Sequence, residues 1–333
     1  MNRSHFLTIR GVLSARTVAV ACLAAATVLI SESSLWAQVK TQVQPQAQVK
    51  AQAQARAKKP AEKSFEDVTL DTKDGVILQC TYYPGPEKKT TVPLILLHDW
   101  DGSRTDLHPL ANYLQIMLGH AVIVPDLRGH GSSVRLRNSE TPIDRDKLNK
   151  LGIEAMLLDV EAVKGYLLQR NNEEKLNIEQ LGVVGVGFGG TLALNWAVRD
   201  WQVRNLPTYK MGQDVKALIL ISPRQSFQGV NVNVALRARL ILSQLSLLLV
   251  AGTQDTARYA DARRIYKSFE AAHVNNDDKD AVLFYEADTS VQGIDLLYDR
   301  DLRVGEWVAG CIKTRLVDRE ATFPWTDRTS PLK

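Results

Sequence analysis

Cysteine and histidine are both scarce in this chain. It has three cysteines in 333 residues, and no Cys-x-x-Cys or His-Glu-x-x-His spacing occurs. That excludes the usual ligand sets of a zinc enzyme or a zinc-stapled fold, and no cofactor or metal is implied. There are six histidines and none beyond His273, so residues 274–333 cannot supply an imidazole base. A spanning hydrophobic run is also missing: the apolar stretch Thr17–Ile30 is 14 residues long, against the ~20 that cross a bilayer. Residues 1–63 carry nine Lys/Arg and two acids, so the net charge of +4 leaves −3 for residues 64–333. The core therefore lacks the basic excess of a nucleic-acid binder.

What is present at the N-terminus reads as an export signal. Arg3, Arg10 and Arg16 precede the apolar run, and a polar stretch ends at Leu35-Trp36-Ala37. The pattern predicts a signal peptide over residues 1–37, cleaved near Ala37, and a periplasmic or extracellular protein. A retained membrane anchor is the competing layout. Cys22 lacks the preceding leucine expected of a lipid attachment site. Residues 38–63 shift to Gln, Ala, Val and Lys, with Gln-Val-Lys repeated at 38–40 and 48–50 and no acid before Glu62. Such a segment cannot bury enough apolar surface to fold, so a disordered Gln/Ala/Lys-rich linker is predicted. Its basic charge could also contact an anionic partner, such as a cell-envelope polymer or lipid headgroups. Past it only Cys80 and Cys311 remain, read as buried small apolar residues, with a bridge as the alternative in an oxidising compartment.

Apolar content of 45 % is enough to fill a sizeable core over residues 64–333. Short β-branched or leucine-rich runs alternate there with segments of helical period, the signature of a mostly parallel sheet covered by helices on both faces. Eight strands are predicted, around 66–71, 76–83, 92–97, 121–125, 181–186, 215–221, 246–251 and 281–286. Helices are predicted over about 106–119, 153–171, 188–199, 256–272 and 291–315. Thr72-Lys73-Asp74-Gly75 has the composition of a hairpin turn, so the sheet should open antiparallel. Leu157, Val160, the stem of a snorkelling Lys164, Leu167 and Leu168 would lay one helix face on the sheet. Only about twenty residues lie between Pro223 and Leu245. That is too few for a large lid, and the top of the sheet should be open.

In such sheets chemistry gathers beyond the carboxyl ends of the strands. There the segment Gly185-Val186-Gly187-Phe188-Gly189 turns from a strand into a helix. It resembles the Gly-x-Ser-x-Gly nucleophile elbow of the α/β-hydrolase superfamily, with glycine in place of the serine. A dinucleotide cradle is the other use of such a loop, but it would follow the first strand of its unit rather than the fifth. LILLHDWDGSRTDL at 94–107 resembles the family's oxyanion loop, VPDLRGHGSS at 124–133 its Asp-x-Arg-Gly-His-Gly-x-Ser segment, and GTQD at 252–255 the turn that presents the acid. Together they run in the family's order across nearly all of residues 65–315. The resemblance implies an α/β-hydrolase fold of esterase, lipase or peptidase type.

The departures from that pattern bear on activity. Gly187 cannot form an acyl-enzyme, and loss of a nucleophile costs on the order of a million-fold in turnover. Asp255 matches the family's acid, but with the base gone its first reading is the cap of the helix that starts at Thr256. Gln292 aligns with the histidine base, with Thr289 or Ser290 as rivals, and none is a base near neutral pH. Asp99 and Asp101 replace small residues of the oxyanion loop, where a carboxylate would oppose a developing oxyanion. With Asp255 they could instead form an acidic or cation-binding pocket. His98 and His130 would be structural in the resembling motifs, and His108 a surface residue. Trp100 would sit over the pocket mouth, covering core or stacking on a ligand. The reading is a degenerate hydrolase fold whose old cleft, with His98, Asp99, Trp100, Asp101 and Phe188, takes a small-molecule, peptide or protein ligand. Hydrolysis through a displaced or metal-assisted site, with Ser103 or Ser290, is the alternative.

Overall fold

The structure is a computed structural model that describes residues 64–274 and 278–329. The signal peptide, its cleavage near Ala37 and the linker over 38–63 lie outside the described residues. Eight strands form the sheet: β1 (Glu66–Asp71), β2 (Val76–Tyr83), β3 (Pro93–Leu97), β4 (Ala121–Pro125), β5 (Leu181–Val186), β6 (Val215–Ile221), β7 (Ser246–Gly252) and β8 (Val282–Ala287). A two-residue strand, Arg135–Leu136, adds a ninth against the start of β2. The order is β1-β2-β4-β3-β5-β6-β7-β8. β2 is antiparallel to β1 and to β4, and the remaining pairs are parallel. The hairpin turn closes as its composition predicts, with Gly75 N donating to Thr72 O at 3.0 Å.

The helices are α1 (His108–Ile116), α2 (Lys150–Glu154), α3 (Met156–Asn172), α4 (Phe188–Gln202), α5 (Arg239–Gln244), α6 (Thr256–His273), α7 (Gly293–Tyr298) and α8 (Val304–Arg315). Every residue of β3 and β5 is buried, and alternation along a strand sends neighbours to opposite layers. Ile95 and Leu97 pack with α3, α4 and α6, whereas Leu94 and Leu96 pack with α1, α7 and α8. Both sheet faces are therefore covered, which parallel strands require. Cys80 and Cys311 are buried and unbridged, and burial pushes the Cys311 thiol up to about 12.

Three expectations change. The helix predicted over 291–315 is two, because Arg303 adopts φ +50° and Asp299 accepts from the amides of Asp301 and Leu302. Lys164 does not snorkel to water: its Nζ lies 2.8 Å from Asp214 and 3.5 Å from Asp200, all three buried. The top of the sheet is not open near the turn into α4. Among the described residues no lid domain stands there, yet the short hairpin of Ser226–Phe227 and Val230–Asn231 folds back so that Phe227 packs on Trp100 and Phe188.

Candidate active site and its occupied oxyanion hole

β5 ends at Val186, and Gly187 turns the chain into α4 with φ +53° and ψ −116°. This is the sharp strand-to-helix bend that the glycine-rich pattern predicts. The flanking glycines are steric requirements: a β-carbon on Gly185 would lie 2.6 Å from the Gly189 backbone, and one on Gly189 would overlap the Leu97 carbonyl. The bend aims the amide of Phe188, first residue of α4, at the loop leaving β3. From that loop the Trp100 amide faces the same point. Two converging amides, one at a helix N-terminus, form a site for a negative oxygen.

That oxygen is supplied by the chain itself. Asp99 Oδ1 accepts from Trp100 N at 2.7 Å and from Phe188 N at 2.7 Å. The remainder of the carboxylate fills the space beside Gly187, where a β-carbon would overlap Asp99 Oδ2. Asp99 was expected to stand beside the amides and oppose an oxyanion. Instead it occupies the oxyanion's position, because a carboxylate is itself an anion with a matching oxygen.

Gln292 leads from β8 into α7, where the alignment places the base. Its Oε1 accepts from Ser222 Oγ at 2.8 Å and Gly252 N at 3.2 Å, and its Nε2 donates to Gly252 O at 2.8 Å. Ser222, buried at the end of β6 with φ +48°, in turn accepts from Gly293 N at 2.8 Å. The amide thus ties together the ends of three strands. Ser222 was missed from sequence, and only its place at a strand's carboxyl end could have marked it. Of the rivals, Thr289 Oγ1 accepts from Val291 N at 3.1 Å and Ser290 is exposed. Asp255 is the cap of α6, accepting from Arg258 N at 3.1 Å.

The histidines are framework. His98 Nε2 accepts from Leu127 N at 3.1 Å, which leaves Nδ1 to donate to Asp99 O at 2.7 Å. Burial pushes its imidazole down to about 4. The ring nitrogens of His130 face the carbonyls of Trp100 and Arg128. His108 is not merely superficial, since its Nδ1 meets the Tyr83 hydroxyl at 2.6 Å. Trp100 does not guard the mouth: it is buried, edge-on to Phe188 with ring centroids 5.4 Å apart. Trp100 and Phe188, expected to line the cleft, reach the site through their amides alone, because their rings are buried in the core with Phe227 against them.

A cavity of about 260 Å³ opens above, lined by His98, Asp99, Asp101, Asp106, Arg258, Gln292 and Asp295 among others. Asp99, Asp101 and Asp255 do not converge on a cation. Asp99 is held by amides, Asp101 pairs with Arg145 at 3.2 Å, and Asp255 caps its helix. Ser103 Oγ meets Thr105 Oγ1 at 2.7 Å rather than an imidazole.

The sheet order, the bend at Gly187 and the paired amides define the class, and the chain belongs to the α/β-hydrolase fold family, whose model matches residues 92–290. Among solved structures it is similar to an esterase of Pyrococcus furiosus, at 16 % identity and TM-score 0.55, covering 76 % of this chain and 90 % of that one. It is also similar to an esterase of Rhizomucor miehei (15 % identity, TM-score 0.54, 80 % and 88 % covered) and one of Pyrobaculum calidifontis (15 %, 0.54, 81 % and 93 %). At these identities the likeness concerns the fold alone. No curated protein matches the chain.

Proposed function

We propose that this is an exported hydrolase-fold protein that does not carry out serine hydrolysis and uses its former active-site cleft to bind a ligand. The observation that carries the reading is the Asp99 carboxylate held at 2.7 Å by both amides that would stabilise a tetrahedral intermediate. The missing hydroxyl at Gly187 and the amide that Gln292 presents in place of an imidazole, bonded to Ser222 and Gly252, support it independently. Export rests on the signal-peptide layout of residues 1–37. With both amides taken, the hole itself offers no seat to a carboxylate or other oxyanion, and Arg258, the cation among the lining residues, is shared with Asp255 at 3.8 Å. The cleft's remaining ionic lining is Asp101, Asp106 and Asp295 with Arg258. The ligand class is therefore a neutral or cationic small molecule, peptide or protein segment.

The test is incubation of the full chain with a fluorophosphonate and with short acyl esters. Neither labelling nor turnover is expected, and modification at a serine in the cleft would refute the proposal. A reconstruction separates the missing groups from the occupied hole. Gly187→Ser with Gln292→His is expected to stay inactive, and adding Asp99→Gly to bring measurable esterase activity. Activity without the change at Asp99 would show that the carboxylate is no obstacle.

A further inference from the structure

The two carboxylate oxygens of Asp99 are in unlike surroundings. Oδ1 accepts from the Trp100 and Phe188 amides, both at 2.7 Å, whereas no donor among the described residues reaches Oδ2. That oxygen lies 2.0 Å from where a β-carbon on Gly187 would stand and 3.8 Å from one on Gly293. Glycine at both positions leaves it uncovered where the residue lines the cavity of about 260 Å³. The backbone beneath it is pinned as well, because the Asp99 carbonyl accepts from His98 Nδ1 at 2.7 Å and from Gly102 N at 3.0 Å. A fixed carboxylate with one oxygen held and the other free of donors is a positioned nucleophile, since the lone pairs of the second oxygen are not engaged in hydrogen bonds. The occupied hole also decides what Oδ2 can attack. At an acyl carbon, attack drives charge onto the substrate's carbonyl oxygen, and the two amides that would receive it are taken. At a saturated carbon bearing a leaving group no such oxygen develops, and the charge departs with the leaving anion.

We propose that Asp99 is a site of covalent capture for neutral primary alkyl electrophiles of the alkyl halide class. The Oδ2 lone pair forms the new carbon–oxygen bond, the carbon–halogen pair departs as halide, and no proton moves. The product is an alkyl ester whose carbonyl oxygen is Oδ1, still held by both amides. It persists, because its hydrolysis needs an activated water and no base stands ready. Both ring nitrogens of His98 are engaged in the framework, and Gln292 occupies the base position. This capture rests on the same occupied hole as the binding reading and can fail without it, since a ligand is held equally well with no bond formed.

The experiment treats the full chain with 1-iodobutane and maps the modified residues by peptide mass spectrometry. Hydroxylamine separates esters, which it cleaves, from alkylated histidine or cysteine, which it leaves intact. Asp101 and Asp295, exposed carboxylates of the same cleft, are the internal references. Butylation of Asp99 is expected at least about tenfold faster than at either of them, with a rate that saturates as the reagent fills the cavity. Urea should abolish the preference. Asp99→Asn should leave no ester at position 99 and the reference rates unchanged, and the comparison within the wild-type chain decides the matter even if that variant does not fold. No ester at Asp99, a rate equal to that of Asp101, or a preference that survives urea would overturn capture. Fluorophosphonate labelling of a serine would instead sink the binding reading, so the two fail on different observations.

Discussion

At Gly187 the backbone holds φ +53°, a conformation that costs an L-residue roughly 1–2 kcal/mol before any clash. The Asp99 carboxylate adds a clash, because it already occupies the volume of a β-carbon there. Gly187→Ala is therefore expected to destabilise the protein by about 3 kcal/mol, and by only the conformational part in an Asp99→Ala background. The double-mutant cycle in urea should show a coupling of about 1–2 kcal/mol, whereas additive costs would place the carboxylate elsewhere. A second residue-scale expectation concerns His120, whose burial holds its imidazole down at about 4. Between about pH 6.5 and pH 4 the unfolded chain binds a proton that the folded chain refuses, so stability falls as pH drops through that window and is level below it. His120→Phe should remove up to about 3 kcal/mol of this loss. His98, held near 4 by the same cause, keeps its own share. An unchanged pH slope would contradict the assignment.

At the scale of elements, the strands were legible because buried parallel strands are short apolar runs and cannot be mistaken for amphipathic helices. The elbow was legible because its flanking glycines are forced by backbone approach. Less visible was anything set by distant partners. No local pattern says that Asp99 turns onto the amides of its neighbour and of Phe188, or that Lys164 meets Asp200 and Asp214 rather than water. The C-terminal strap is the clearest instance. Arg328, almost fully buried, donates to Glu179 Oε1 at 2.9 Å and Asp214 Oδ1 at 2.7 Å, while the Thr326 and Phe323 carbonyls accept from Asn171 and Asn177. Removing the guanidinium takes one cation from two buried carboxylates that keep Lys164 and Lys210 as partners, so Arg328→Ala is expected to cost roughly 2–3 kcal/mol in denaturant unfolding, the worth of a charged hydrogen bond and lost packing. A loss under about 1 kcal/mol would mean that the strap is dispensable.

For the molecule as a whole, the family's framework is kept while the position of its oxyanion is taken by the chain's own carboxylate. The fold keeps the sheet order, the bend and the amide pair of a hydrolase, yet the charge meant to arise on a substrate is already present as a side chain. Everything at the site turns on the Asp99 carboxylate filling the anion hole between the Trp100 and Phe188 amides. The most direct measurement is an acetate titration followed through the Trp100 and Phe188 amide resonances. In Asp99→Ala both resonances should move saturably as acetate takes the vacated place, and in the wild type neither should move. Equal movement in both proteins would show that the hole was never occupied.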